Sequence, residues 1–426
     1  MKYKTPAVVM VGASWRVGTA LGVARTLGRA GVPVYGVAET PGSPLVHSRY
    51  VRDVVTAADV SDDAIVEALR QLARTLPKPI VLFPTSDKHV LLLAQRGEAL
   101  EADYVWSRNS LQTIEQCLDK GQSGTLAQAL DIRAPVTRPA TSTAELEALV
   151  ATVPRPWIVK PISRCVVRDG HLERATMANY LQAKAVLVDS TDRLRSLLQQ
   201  AETVQESVLV QEFVPGGDSD LCAPVCYRRP DGSIPVAVFW KLRQSPPGFG
   251  YGCYTVTVPD WQEDAQMVEV AEMSARFARG VEFQGLCGLE WKRHADNGLY
   301  YFIEANPRII QFNVLWAPAG CNLILWSYVE LAQGPQDEPP EPIRVRRYYY
   351  YDELADRRSY AATYRGRGPW WLAYPRSLAR PREGAFYAKD DPLPGLFAIG
   401  RDLSESVGRK MRRLLGLHAN NTALDT

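Results

Sequence analysis

The chain opens with an apolar run at 7–11, a glycine-bounded turn from Gly12 to Gly18, and a helical pattern over 19–30 that Gly31 closes before a second apolar run at 33–37. Strand length, then helical periodicity, then strand length again predict a βαβ unit. Helix 62–76, strand 80–84, helix 88–96 and strand 104–106 continue the alternation. Such alternation predicts a parallel sheet covered by helices on both faces. Beyond it the pattern gives helices 111–118 and 125–130, strands 157–160 and 185–188, and a helix with Leu194, Leu197 and Leu198 on one face. A strand from Val208 then runs into the turn Pro215-Gly216-Gly217, strands 225–227 and 236–240 flank Pro230-Asp231-Gly232-Ser233, and helix 265–279 follows. The C-terminal part reads as helix 323–331, a Pro/Glu-rich linker at 336–342, a tyrosine run at 348–351, the pair Trp370-Trp371, and a basic helix around 407–415.

The most informative stretch lies between Gly285 and Asn313. Strand-like runs at 286–292 and 299–305 flank a polar turn whose Asp296-Asn297-Gly298 predicts an antiparallel hairpin. Alternation puts Gly288, Glu290 and Lys292 on one face of the first strand, and Phe302, Glu304 and Asn306 on one face of the second. Pairing symmetric about Asn297 sets Glu290 opposite Glu304, and a one-residue bulge would shift that register. Two carboxylates and an amide oxygen aimed at one place suit Mg²⁺ held between protein and phosphates. Arg308 adds a fixed positive charge beside them. A hairpin carrying two solvated glutamates is the plainer alternative.

Composition narrows the class. The chain has 426 residues, 46% hydrophobic and 23% charged, ordinary globular material for two or three domains. No apolar run reaches the roughly 20 residues of a membrane span, and a strand and glycine turn stand where a secretory leader would be, so a cytoplasmic protein is expected. Seven scattered cysteines and five histidines form no zinc pattern. The net charge of +2 gives no ground for a nucleic-acid partner, but residues 344–413 hold sixteen Lys/Arg against eight Asp/Glu, leaving that segment at +8 and the remainder at −6. A solvated surface, an anionic acceptor or an anionic membrane surface fits such a segment. Assembly into an oligomer stays open.

Several single residues invite chemistry. Glu39 follows the second strand as in dinucleotide sites, although glycines 12, 18 and 22 do not make G-x-G-x-x-G. Asp87, after strand 80–84, is placed either for a ligand contact or for a helix N-cap. Lys160, in the apolar strand around Trp157, needs an anion. Lys241 and Arg243, two apart, are expected on one face ahead of a Pro/Gly loop at 245–252 able to close over a ligand. Trp316 and Asn313 are candidates to line an acceptor pocket.

G-L-E-W-K-R at 288–293 followed by F-I-E-A-N-P-R at 302–308 resembles the metal-binding signature of the ATP-grasp superfamily. K-x-R-Q at 241–244 looks like the D-aspartate-ligase-like or carbamoyl-phosphate-synthase-large-chain-like branch. The resemblance implies an α/β protein with α+β lobes: a Rossmann-like pre-ATP-grasp domain at 1–106 and an ATP-grasp domain at 107–335 with a mobile lid lobe at about 130–213. A hinge at 211–218 and a linker with a basic, aromatic-rich segment at 336–426 complete the expected division. It implies ATP with Mg²⁺, two ions or Mn²⁺ in their place, on Glu290, Glu304 and Asn306. Lys120, Lys160 and Lys184 would reach phosphates. Gln211, Glu212, Phe213 and Val214 would form the adenine hinge, with the ribose hydroxyls on Asp218. Lys241 would touch the γ-phosphate, Arg243 an acyl phosphate or carboxylate, and Arg308 a tetrahedral oxyanion. The loop 163–170 departs from the small, Gly/Ser-rich pattern, and Arg164 or Arg168 would replace its backbone amides. The implied reaction joins a small-molecule carboxylate to an amine through an acyl phosphate, the acceptor being a cell-envelope component or a secondary metabolite. A phosphotransferase on the same cradle and a non-catalytic nucleotide-binding module are the alternatives.

Overall fold

The computed structural model describes residues 3–162, 165–168, 171–174, 185–364, 369–380 and 382–414. The N-terminal part contains β1 (Ala7–Val11), α1 (Thr19–Arg29), β2 (Val34–Ala38), β3 (Val51–Thr56), α2 (Asp62–Ala73), β4 (Ile80–Phe83), α3 (Asp87–Arg96) and β5 (Tyr104–Val105). Its strands pair in parallel in the order β3-β2-β1-β4-β5. Every residue of β1 and β4 is buried, as expected of central strands covered on both faces. The edge strand β3 was not legible as a strand, because Arg52 and Asp53 interrupt its alternation and lie exposed. Strand order reverses between β1 and β4, so the loops after them, 12–18 and 84–86, bound the crevice where such sheets hold ligands. Ser86, not Asp87, caps α3: its Oγ accepts the His89 N–H at 3.2 Å. That leaves the Asp87 carboxylate pointing elsewhere.

Next come α4 (Leu111–Leu118) and α5 (Lys120–Ala129). The second begins earlier than the expected 125, because Asp119 accepts the N–H groups of Gly121 and Gln122, both at 2.8 Å. An antiparallel sheet follows, built from β6 (Thr137–Ala140), β7 (Trp157–Pro161), β10 (Val186–Val188) and β11 (Val208–Glu212) in the order β10-β7-β11-β6. It packs on α6 (Leu146–Thr152) and α7 (Thr191–Thr203) through Leu146, Leu149, Leu194, Leu197 and Leu198. A separate two-stranded ribbon is formed by β8 (Cys165–Arg168) and β9 (His171–Arg174).

The largest sheet collects β12 (Leu221–Cys222), β13 (Val225–Arg228), β14 (Val236–Ala237), β15 (Phe239–Ser245), β16 (Tyr251–Thr257), β17 (Gly285–Arg293) and β18 (Tyr300–Asn306). The expected strand 236–240 is broken before Phe239, and β15 runs on to Ser245, so Lys241 and Arg243 lie inside a strand rather than before a loop. The Pro/Gly stretch is the tip of the β15–β16 hairpin. Beneath the sheet, α8 (Ala265–Gly280) supplies Met267, Val270, Met273 and Phe277 to a core shared with Trp291 and Phe302. The chain then forms α9 (Leu323–Gln333). The tyrosine run becomes β19 (Tyr349–Tyr351), which pairs antiparallel with β16 and parallel with β20 (Arg382–Gly384). Between these lie α10 (Asp356–Tyr364) and α11 (Trp370–Ser377), and α12 (Leu393–Leu414) ends the described chain. The segment expected to follow a linker is thus built into the main sheet. It also returns to the N-terminal domain, where Asp391 meets the buried Arg25 at 2.9 Å.

Candidate active site

The β17–β18 hairpin places Glu290 directly opposite Glu304 and Gly288 opposite Asn306. A bulge falls between Glu290 and Trp291, where Ile303 is the extra residue. It corrects the expected face of Phe302, which pairs with Trp291 and packs edge-on against it at 5.7 Å, in the core with Phe277. The carboxylates and the amide remain together because the bulge lies on the turn side of them.

Cations surround this pair. Lys241 forms an ion pair with Glu290, and the Lys120 Nζ lies 3.7 Å from Glu304 Oε2. Lys160, on β7, is buried, and its ammonium is pushed down to about 7 by burial and by the charge of Lys120, against the pull of Glu304 and Glu290. A buried lysine whose charged form is disfavoured by burial and by a second lysine is a site prepared for an anion. On β17, Lys292 lies 4.9 Å from the Phe213 ring; burial lowers its pKa, against Asp220, Asp218 and Glu290. Sequence reading placed Lys292 on the right face without giving it a role.

Arg308 closes the site from the N-terminal side. Its Nε donates to Asp87 Oδ1 at 2.5 Å, and its backbone N–H to the Asn306 carbonyl at 2.8 Å. Burial alone would lower the Arg308 pKa, but Asp87 and Glu304 raise it above its ordinary value. Beside this contact Glu39 is held by His89 Nε2 at 2.8 Å and Lys88 Nζ at 2.9 Å. Burial pushes Glu39 up, but these partners outweigh it and keep the carboxyl below its ordinary range. Glu39 is therefore engaged inside the domain.

At the junction of β11 and the following turn, Gln211 donates to Thr137 Oγ1 at 2.8 Å, and Glu212 Oε2 accepts the Val136 N–H at 3.1 Å. The Phe213 N–H goes to the Pro156 carbonyl at 3.0 Å, and Val214 is buried. Asp218 accepts from the backbone and side chain of Gln244, at 3.1 and 2.9 Å, and from the Gly248 N–H at 2.9 Å. Both its oxygens thus fasten the β15–β16 tip to the turn.

Two expectations are corrected. Lys241 and Arg243 do not work on one face, because bulges on either side of Arg243 redirect it. Arg243 instead makes a bidentate pair with Asp356, at 2.6 and 2.7 Å, under the Tyr254 ring at 3.9 Å. Nothing in the sequence joins Arg243 to Asp356, a partner 113 positions on. Asn313 and Trp316 line no pocket: both are buried, and Asn313 donates to the Thr19 carbonyl of α1 at 3.0 Å. Lys184 and Arg164 lie outside the described residues, as does the side chain of Arg168.

Among the described residues no group of three or more His, Cys, Asp or Glu side chains gathers as a metal cage. The donor set is two carboxylates and one amide, which fits a hard cation completed by phosphate oxygens rather than an all-protein site.

No protein-family model matches the sequence. Solved structures do resemble the fold. An L-amino acid ligase from Bacillus licheniformis is 15% identical, with TM-score 0.58 over 80% of this chain and 78% of its own. An N5-carboxyaminoimidazole synthetase from Staphylococcus aureus, complexed with ADP, is 14% identical, with TM-score 0.57 over 79% of each chain. A biotin carboxylase from Campylobacter jejuni, in a beta-gamma-ATP complex, is 13% identical, with TM-score 0.59 over 80% of this chain and 73% of its own.

Proposed function

We propose that this chain, which has the ATP-grasp fold, is an ATP-dependent ligase that joins a small-molecule carboxylate to an amine through an acyl phosphate, releasing ADP and phosphate. The observation that carries this reading is the convergence of Glu290, Glu304 and Asn306 with Lys120, Lys160, Lys241 and Arg308 around one face of the large sheet. The similar structures point the same way, since an amino acid ligase and a synthetase complexed with ADP are among them.

ATP would supply the phosphoryl group, and Mg²⁺ or Mn²⁺ would neutralise its developing charge. Glu290, Glu304 and Asn306 would hold the cation. Lys160 and Lys120 face phosphate oxygens, and Lys160 takes up a proton as they arrive, because a neighbouring anion favours its charged form. Lys241 exchanges its partner Glu290 for the terminal phosphate. The turn 211–218 receives adenine along the backbone of Glu212 and Val214. Arg308, oriented by Asp87, stabilises the oxyanion when the amine attacks the activated carbonyl. Water has to be kept from that carbonyl, and the lobe carrying Lys160 is the element that closes over it. The acceptor is a cell-envelope component or a secondary metabolite. Arg243, locked on Asp356, shapes that side of the site rather than touching phosphate.

The test is ADP and phosphate release with Mg-ATP over a panel of amino acids, uronic acids and amines, singly and in pairs. Phosphate release that needs both a carboxylate and an amine, and is lost in Glu304→Ala, supports the ligase. ADP without free phosphate would show a phosphotransferase, and ATP binding without turnover a nucleotide-binding module.

A further inference from the structure

The last helix, α12, presents its carboxylates to the protein and a row of apolar residues to solvent. Asp402 receives Arg16 at 2.6 Å and also Arg358; Glu405 receives Arg16 at 2.8 Å and Arg401 at 3.1 Å. Arg401 also donates to the Gly42 carbonyl at 3.0 Å, and Ala398 is fully buried between them. These contacts fix the rotation of the helix. On the other side Leu393, Leu396, Leu403, Val407 and Met411 are each 56–59% exposed. At 3.6 residues per turn they fall within an arc of about 80° and run for roughly 27 Å. A patch of that extent marks an interaction surface.

Charge selects the occupant. Asp402 and Glu405 are the only carboxylates of α12, and both are consumed by arginines of the body. After Glu405 the sequence carries Arg409, Lys410, Arg412 and Arg413, and no acid before Asp425. A second copy packed parallel would set these cations against their like. Packed antiparallel, it would bring them to Asp390 and Asp391, which Arg29 and Arg25 already hold. An anionic bilayer offers both an apolar layer for the stripe and charge for the basic end. Elsewhere, on α11, Trp371 and Leu372 are exposed by 62% and 61%.

We propose that α12 docks this protein on an anionic membrane surface, its Leu393–Met411 stripe at the acyl boundary and its basic end among the headgroups. The inference is independent of the reaction proposed above.

The test is flotation of the full chain with vesicles of phosphatidylglycerol and phosphatidylcholine, against vesicles of phosphatidylcholine alone, at low and high salt. Light scattering is recorded without vesicles. Expected are flotation with the anionic vesicles only, release by high salt, and a loss of roughly tenfold or more in partitioning for Leu403→Gln/Val407→Gln/Met411→Gln. Far-ultraviolet dichroism and the unfolding midpoint of that variant should match the wild type, because each of these residues is more than half exposed. Failure of the wild type to float would overturn the proposal. Equal flotation of the folded triple variant would do the same, as would a dimer that the variant returns to monomer without any vesicle binding.

Discussion

Asp87, in the first turn after β4, lies 2.5 Å from the guanidinium of Arg308, 221 positions away in the sequence, and so ties the parallel-sheet domain to the metal-facing hairpin. The arginine stays charged whether or not its partner does. What Asp87 contributes is therefore orientation.

Asp87→Asn should lower the rate of phosphate release roughly 10–100-fold, the range of a hydrogen bond to a charged group, while leaving ATP affinity within about twofold. Arg308→Ala should remove turnover and make the Asp87 substitution silent, since the two act as one unit. Steady-state kinetics with calorimetric ATP titration on the two single variants and the double variant check this. A comparable loss in ATP affinity would mean that Asp87 holds the fold of the cleft instead.

The same boundary has a second joint. A Cβ on Gly22 would sit 2.3 Å from Asn313 Oδ1 and 3.1 Å from the Val314 nitrogen, in a buried contact between α1 and the segment after the hairpin. Gly22→Ala should cost about 1–3 kcal/mol by overpacking, and lower the unfolding midpoint by about 1–3 °C. Gly400→Ala, where a Cβ would meet nothing within 4 Å, is the control expected to show no loss. Differential scanning calorimetry of both variants decides it.

How much of this was legible follows from distance along the chain. Glu290 and Glu304 could be paired from the sequence because a tight turn and a period of two relate them. The face of Phe302 could not, because one extra residue at Ile303 inverts the positions of β18 on the turn side. The same failure befell Lys241 and Arg243, where two bulges break the i, i+2 rule. Lys160 was legible as an anion-seeking lysine because a cation in an apolar strand is costly. Its neighbour Lys120 comes from a helix that local pattern does not aim anywhere. Contacts between the C-terminal segment and the body, such as Arg25 with Asp391, join residues 366 positions apart and leave no local trace.

Asp356 is fully buried against Arg243, so its removal strands a charge beneath the Tyr254 ring. Asp356→Ala should destabilise the protein by about 3–5 kcal/mol, whereas the paired change Arg243→Met with Asp356→Leu should recover most of it. Chemical denaturation of the two variants measures this. If the paired variant is stable and still releases phosphate, Arg243 has a packing role; if it is stable and inactive with ATP binding intact, Arg243 reaches the substrate.

Lys160 gives the pH dependence. Its folded-state pKa is lowered to about 7 from the ordinary 10.5, so between those values the unfolded chain binds more protons than the native one. Stability of the nucleotide-free protein should therefore rise with pH from about 7 towards 10.5 through this group, and the rise should vanish in Lys160→Met. ATP reverses the preference, because phosphate oxygens favour the charged ammonium. Its binding near pH 7 should take up about half a proton, and its affinity should fall as pH increases from 7 to 9. Isothermal titration in buffers of different ionisation enthalpy reads the proton directly. Lys160→Met should lose the uptake together with at least roughly tenfold in ATP affinity, while its nucleotide-free form unfolds no earlier than the wild type at pH 7. Binding without proton exchange in the wild type would place Lys160 away from the phosphates, and the anion site would then rest on Lys120 and Lys241 alone.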